Sequence, residues 1–364
     1  MIRSVRIHSP INQGKYEGIH AVLVMYNECV NYFIKRLWSE HKFEGKFLES
    51  EYIEGARKRF DLTARLIQCA GKQAFEIAKS QRKKSFTKRN MPRFKTLSAT
   101  LDSRIWEFGE STSEFEWIKL QSGFQFLIPF KKTVMWNKWE QEGFTLSKSL
   151  RVSIRNKKLT LEFFFEKEAP ELKPEGETEG LDLGYVNLAV CSDKQVVGKH
   201  LNGFIRTFPK RQKNTHKTIT NKVFQELKKL DLTNISSLVV ENLKYVKHNT
   251  REKFSRTHNR RLSHWLYAKV IDWIAMRCEE QGVRLEFKSP YKTSQRCPVC
   301  GKWDKRNRNG EKFKCIYCGF ECHADRVGSL NLKLLGLAGV YSLRLLNTLS
   351  DSKLKELNTC LSIQ

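Results

Sequence analysis

Two Cys-x-x-Cys knuckles, Cys297-Pro-Val-Cys300 and Cys315-Ile-Tyr-Cys318, constrain this chain more than any other feature. Each knuckle aims two thiolates at one point, and the glycine directly after it, Gly301 or Gly319, permits the tight turn. The fourteen-residue spacer between the pairs can form a hairpin that closes a tetrahedron. Soft sulfur ligands in a closed set favour a structural zinc ion, with Cys297, Cys300, Cys315 and Cys318 as its ligands. Cys322 and His323 follow closely and could replace a ligand, but two complete knuckles already supply four, so packing beside the site is the preferred role. Five of the ten cysteines fall between Cys297 and Cys322 and the rest are scattered, which is a metal pattern in a reducing compartment and not a secreted disulfide framework. The spacer also carries Lys302, Lys305, Arg306, Arg308, Lys312 and Lys314, so the tip of this ribbon is basic.

That basic tip belongs to a wider imbalance. Lys and Arg number 66 against 39 Asp and Glu, a formal net charge of +27 over 364 residues. Solubility alone asks for a net charge of only about 2–8 in a small domain, so the excess points to a polyanionic partner, and nucleic acid fits best. Apolar residues make up 40% of the chain, which excludes wholesale disorder. No apolar run approaches the roughly 18 residues of a membrane span, and the first residues lack the apolar stretch of a secretory signal. The expectation is an intracellular protein of the prokaryotic cytosol or nucleoid, with no membrane partner. The charge is densest in QRKKSFTKRNMPRFK, where Arg82, Lys83, Lys84, Lys88, Arg89, Arg93 and Lys95 meet no acid and alternate with Phe86 and Phe94. Such a run is either a solvated face or a phosphate-binding one. Uncompensated like charge favours the second, and Arg82, Lys83, Lys84, Lys88, Arg89 and Arg93 are the candidate nucleic-acid contacts.

Periodicity divides the chain. A short strand is expected at Ser4 to His8, then a helix over residues 15–40 on the stripe Ile19, Val22, Leu23, Tyr26, Val30, Phe33, Ile34 and Leu37. A second helix is expected from Leu62 to Lys79. Residues 100–168 alternate as strands, ending in a hairpin that turns at Asn156 to Lys158. APELKPEGETEG then reads as a linker, the main domain boundary. Beyond it, GLDLGYVNLAVCSD, KQVVGKHL and FIRTF are expected as strands. A basic helix follows from Asn214 to Leu230, then a strand ending at Glu241, a helix through Leu266, Val270, Ile274 and Cys278, and the strand VRLEF. This mixture suggests an α/β sheet domain.

Three acids stand out in that domain. Asp182 sits between leucines in an apolar strand, an expensive position unless something pairs with it. Glu241 ends a β-branched strand and Asp325 opens a helical run. Each alone has an ordinary structural explanation. Together, their order matches a sheet with an Asp on its first strand, an acid at the end of its fourth and an Asp on a late helix, the arrangement of an RNase H-like site. Such carboxylates gather two divalent ions about 4 Å apart, one activating water and the other stabilising the leaving oxygen of a phosphodiester.

The stretch SHWLYAKVIDWIAMRCEEQGVRLEFKSPYKTSQRCPVCG, continuing to FKCIYCGFECHADRVGSLNL, resembles TnpB, a transposon-encoded RNA-guided nuclease family related to the type V CRISPR effectors. GLDLG resembles the first RuvC motif of that family, VVENL the second and HADRVGSLNL the third. Tyr291, Thr293 and Ser294 fall in a segment that usually reads Pro, two residues, Thr-Ser. Gly328 and Ser329 replace a common alanine pair but leave Asp325 and Asn331 in register. The segment between Asp182 and Glu241 is shorter than usual and lacks a long helical hairpin.

The resemblance implies an α/β, RNase H-like (RuvC-type) nuclease domain at residues 178–290 and 323–345, with a zinc ribbon inserted at 291–322. Ahead of it come a β-rich wedge-like module at 1–14 and 100–168, a helical recognition module at 15–99 and a linker at 169–177, with a C-terminal tail at 346–364. It implies Asp182, Glu241 and Asp325 as catalytic acids holding Mg2+, and a structural Zn2+ in the ribbon. The partners implied are a guide RNA from the transposon end and double-stranded target DNA, bound by a monomer with one RNA. Three other functions compete: a nuclease-inactive RNA-guided DNA-binding regulator, which would be expected to lose an acid; a DDE-type transposase acting without RNA; and a plain zinc-ribbon RNA-binding protein, which would leave Asp182 unexplained.

Overall fold

Local signals set most elements of the first half. In the computed structural model, which describes residues 1–43, 50–84, 90–111, 115–184, 186–207, 214–243 and 267–338, Asn12 caps the first helix, its side chain accepting from Lys15 N. That helix, α1 (Gln13–Ser39), buries the expected stripe from Ile19 to Leu37. After the short α2 (Ser50–Arg57), Thr63 caps α3 (Ala64–Arg82), whose small residues Ala70, Gly71, Ala74 and Ala78 line its buried face. The strands β1 (Ile2–Ser9), β2 (Ser98–Leu101), β6 (Thr145–Arg155) and β7 (Lys158–Glu166) form one antiparallel sheet in the order β1-β7-β6-β2. Asn156 and Lys157, both at positive φ, make the two-residue turn between β6 and β7. A smaller sheet holds β3 (Trp106–Phe108), β4 (Glu116–Gln121) and β5 (Gln125–Phe130). The helix α4 (Val134–Gln141), absent from the strand expectation for this region, inserts Trp136 among Phe130, Phe163 and Phe165.

The chain divides into two compact units, Met1–Glu168 and Ala169–Gln364. The second is built on a five-stranded sheet of β8 (Glu177–Leu183), β9 (Ala189–Cys191), β10 (Val196–Val197), β11 (Ile235–Glu241) and β12 (Arg284–Lys288). Its spatial order is β10-β9-β8-β11-β12. β8, β11 and β12 run parallel, while β9 and β10 return antiparallel. One face, carrying Leu181, Leu183, Leu238 and Val240, packs against α6 (Thr215–Leu227) and α7 (Tyr267–Glu280). The other is covered by α8 (Ala324–Ala338), which approaches so closely that a Cβ on Gly180 would run into the Ser329 carbonyl and the Lys333 amide. Here Lys333, 2% exposed in its side chain, reaches Glu179 at 2.9 Å, and Glu179 also accepts from Ser192. Burial pushes the Glu179 carboxyl up, against the pull of Lys333 and Ser192.

FIRTF is not a strand. Phe204, Ile205 and Arg206 fall in a helix, α5 (Leu201–Arg206), in which Leu201 and Ile205, four residues apart, both enter the unit's core, and Phe208 lies outside the described residues. Five residues of alternating pattern cannot separate the two periods, and tertiary burial decided for the helix. Between β12 and α8 lies the ribbon, a three-stranded sheet of β13 (Arg308–Asn309), β14 (Lys312–Lys314) and β15 (Glu321–His323). The tail at 346–364 lies outside the described residues.

Candidate active site: an acid cluster next to a four-cysteine metal centre

Strand parity brings two acids together. Side chains alternate across a sheet, so Asp182 shares the α8 face with Gly180, and Glu241 shares it with Val239. Val240 is in register with Leu181, which sets Glu241 beside Asp182 at the carboxyl ends of adjacent parallel strands. Ligand sites in open α/β sheets gather at such ends. Asp325, the second residue of α8, joins them from the helix N-terminus, where the helix dipole favours negative charge.

The charges register each other. The Asp182 carboxyl is pushed well above the usual carboxylate range, first by burial, then by Glu241 and Asp325, with Arg308 and the Leu183 amide opposing. Burial also raises Glu241, against the Thr293 hydroxyl that donates to it and against Arg308. Asp325 accepts from the Asn187 amide at 3.1 Å and lies 3.9 Å from the Arg308 guanidinium. Its own backbone N–H donates to His323 Nδ1 at 3.2 Å, which gives His323 a place at the helix start, outside the cysteine set. Three hard oxygen donors from three elements are the donor type that Mg2+ takes.

The cysteines form a tighter group. All four ligand sulfurs of Cys297, Cys300, Cys315 and Cys318 lie within 4.8 Å of one another, the only such set of three or more His, Cys, Asp or Glu among the described residues. The carboxylates are therefore spaced more widely than the thiols, as mutual repulsion favours. Cys297–Cys318 and Cys300–Cys315 stand at 3.5 Å, close to the roughly 3.8 Å edge of a tetrahedron with Zn–S near 2.3 Å. Gly301 and Gly319 hold φ of +73° and +75°, each closing its knuckle by donating to the first cysteine's carbonyl at 2.9 Å. Burial alone would raise the Cys315 thiol, but the amides of Tyr317 and Cys318 and the thiols of Cys300 and Cys318 bring it down to about 7, so it ionises readily for a metal. Cys322 stays out of the set and packs with Phe313, Phe320 and Val327. The group could hold zinc.

Several contributors were invisible in the sequence. Arg308 was one of many cations in the ribbon spacer, and only the fold aims it at all three acids. Asn307, 1% exposed, ties the knuckles together by donating to the Gln295 carbonyl and accepting from the Ile316 amide, both at 3.1 Å. Thr293 was marked only as part of a motif, with nothing to say that it faces Glu241.

The expected nucleic-acid contacts are dispersed. Arg82 ends α3 with its guanidinium over the Phe43 ring, and Lys83 is the cap residue. Lys84 and Arg93 line a cleft of about 1880 Å³ in the first unit, together with Arg6, Lys72, Lys95, Arg151 and Arg155. Glu162 on its floor is 5% exposed and is paired with both Arg6 and Arg151. Lys88 and Arg89 lie outside the described residues.

Parts of the chain are similar to known proteins. The Cas12f1-like TNB domain family matches residues 267–332, the span that holds the ribbon, Thr293, Asp325 and Asn331. The chain is 38% identical over 77 residues to the CRISPR-associated endodeoxyribonuclease Cas12f1 of Sulfoacidibacillus thermotolerans, covering 21% of this chain and 18% of that protein. A TnpB-like protein of Methanocaldococcus jannaschii is 24% identical over 217 residues, covering 57% of this chain and 73% of its own length. The chain spans only about a fifth of the Cas12f1 relatives it matches. In fold, it is similar to Cas12f1 as seen by cryo-EM in a complex with sgRNA and target DNA, with a TM-score of 0.54 at 17% identity over 88% of this chain and 83% of the other. The second unit thus carries a Cas12f1-like TNB domain. The chain's similarities are therefore to TnpB-like proteins and to the type V effector Cas12f1. Among the described residues no helix is long and apolar enough to cross a membrane.

Proposed function

We propose that this protein is an RNA-guided DNA endonuclease of a transposon, built on an RNase H-like (RuvC-type) domain with an inserted zinc ribbon. The helical and β-rich parts of the first unit act as recognition and wedge modules. The observation that carries the reading is the meeting of Asp182, Glu241 and Asp325 from two adjacent parallel strands and a helix, close enough to raise the Asp182 carboxyl. These acids would hold Mg2+, which when bound supplies an activated water and a stabilised leaving oxygen. The Arg308 guanidinium, the cation facing the cluster, is placed to pair with a phosphate oxygen as DNA enters between the acids. Asn187 and the N-terminus of α8 hold Asp325 turned toward the centre. A short motif in duplex DNA is read first, RNA then pairs with one strand, and the two strands are cut in turn at one site. The protein acts as a monomer with one guide RNA, in the cytosol or nucleoid.

The test begins with nucleic acid that copurifies from cells carrying the element's end. The expected result is one discrete RNA species and Mg2+-dependent cutting of a duplex matching its variable end. Cutting with no RNA present would favour a DDE-type transposase, and RNA-directed binding without cutting would favour a regulator with an inactive site.

The cleft of the first unit supplies a second test. Its lysines and arginines, Lys72, Lys84, Arg93 and Lys95 among them, suit a phosphate backbone. Replacing Lys72, Lys84, Arg93 and Lys95 by glutamine should weaken binding for all sequences alike. The salt dependence of log K should flatten by roughly 0.7–0.9 for each phosphate that is no longer neutralised. An unchanged slope in a salt titration would make the cleft a solvated surface only.

A further inference from the structure

Glu241 is 7% exposed, so its carboxylate orientation is set by its neighbours. One oxygen accepts from the hydroxyl of Thr293, on the segment between β12 and the first knuckle, and Thr293 is itself 2% exposed. That hydroxyl has a single proton, and its other acceptor, the Pro290 carbonyl, lies at 3.3 Å. The carboxylate is nearer and charged, so it takes the bond.

Asn331 on α8 holds Thr293 in place. Its side-chain amide donates to the Thr293 carbonyl at 2.7 Å and to the Arg296 carbonyl at 2.8 Å. The residue is fully buried, and its amide oxygen has no hydrogen-bond partner among the described residues. An unsatisfied buried acceptor is costly, and leucine would fill nearly the same volume without it. What asparagine adds is the pair of bonds to the 293–296 segment. The same side of the helix serves the other two acids as well. Asp325 presents its own carboxylate, and at Gly328 a Cβ would sit 3.0 Å from the Asp182 carboxylate.

We propose that Asn331 and Thr293 are positioning residues that act in series. Asn331 fixes the 293–296 segment, and the Thr293 hydroxyl then ties down one oxygen of Glu241 so that the other faces the centre shared with Asp182 and Asp325. The proposal rests on the reading of these acids as a divalent-ion site. Groups that hold a metal ligand in orientation typically change affinity by about 10–100-fold when removed.

The experiment uses the full chain and Mn2+ alone, with free Mn2+ read by electron paramagnetic resonance and zinc content and melting temperature recorded as controls. Thr293→Val, which keeps the shape but loses the hydroxyl, should weaken Mn2+ binding by about 10–100-fold, while Thr293→Ser, which keeps the hydroxyl, should bind nearly as wild type. Asn331→Leu should weaken binding similarly and speed amide exchange across Thr293 to Arg296. The double variant should be no worse than its weaker parent, because the two residues form one chain of action. Wild-type affinity in Thr293→Val, or a loss in Thr293→Ser equal to that in Thr293→Val, would overturn the proposal. If Asp182→Ala binds Mn2+ as well as the wild type does, the ion-site reading fails, and amide exchange in metal-free protein decides the relay. Faster exchange at 293–296 in Asn331→Leu and around Glu241 in Thr293→Val would support it, and unchanged exchange in either would end it.

Discussion

Asp182→Ala is expected to reduce Mg2+-dependent cutting of a guide-matched duplex below detection while leaving RNA and DNA binding intact. In the proposed two-ion mechanism this carboxylate, which feels the charges of both Glu241 and Asp325, is the ligand shared by the ions. Binding comes from phosphate neutralisation and base pairing, neither of which needs it, and removing a negative charge near phosphates should help the complex persist. Glu241→Ala and Asp325→Ala should behave alike, and combining them should add little, because groups that act as a unit are not additive. Near-wild-type cutting by Asp182→Ala, measured beside a gel shift with guide RNA present, would remove the nuclease assignment.

The same residue carries a stability signature. The fold raises the Asp182 carboxyl well above its ordinary value. The folded state therefore holds that proton more tightly than the unfolded chain does. The associated stability is present at low pH and is lost as pH rises through the folded-state value. Asp182→Asn, uncharged at every pH, escapes that loss. Without divalent ions it should melt higher than wild type near pH 8, and the difference should shrink as the solution is acidified.

Zinc removal should have the next largest effect. The ribbon's own core is small, essentially Phe313 with the cysteines Cys297 and Cys315, closed by Val327 of α8. Structural zinc binds with an apparent free energy of about 10–16 kcal/mol, as large as the roughly 5–15 kcal/mol that stabilises a whole domain. The expected result is one zinc per chain by elemental analysis, and loss of soluble protein in Cys297→Ser/Cys300→Ser. Cys322→Ser, outside the tetrad, should keep its zinc. Cutting should fail when the metal is stripped, because Arg308, which reaches Asp325, stands on the ribbon. Well-folded protein without zinc would overturn the assignment.

The sequence by itself determined what is local. A knuckle is four residues and a glycine, so the cysteine tetrad was legible from spacing, and the structure gathers those four and leaves Cys322 aside. Helical stripes marked α1 and α3, and a charged residue between leucines marked Asp182 as a position needing an explanation. The alternation in FIRTF was too short to separate strand from helix, and α4 went unread among strands. Only the tertiary structure decided the sheet order β10-β9-β8-β11-β12, which turns three acids scattered along the chain into one cluster. It alone selected Arg308 from six basic residues of the spacer, paired Lys333 with Glu179, and joined Asn331 through Thr293 to Glu241. Periodicity and propensity report how a residue relates to its neighbours in the chain. The direction of a side chain toward a distant strand depends on register and on which helix covers which face, and those follow from packing the whole unit.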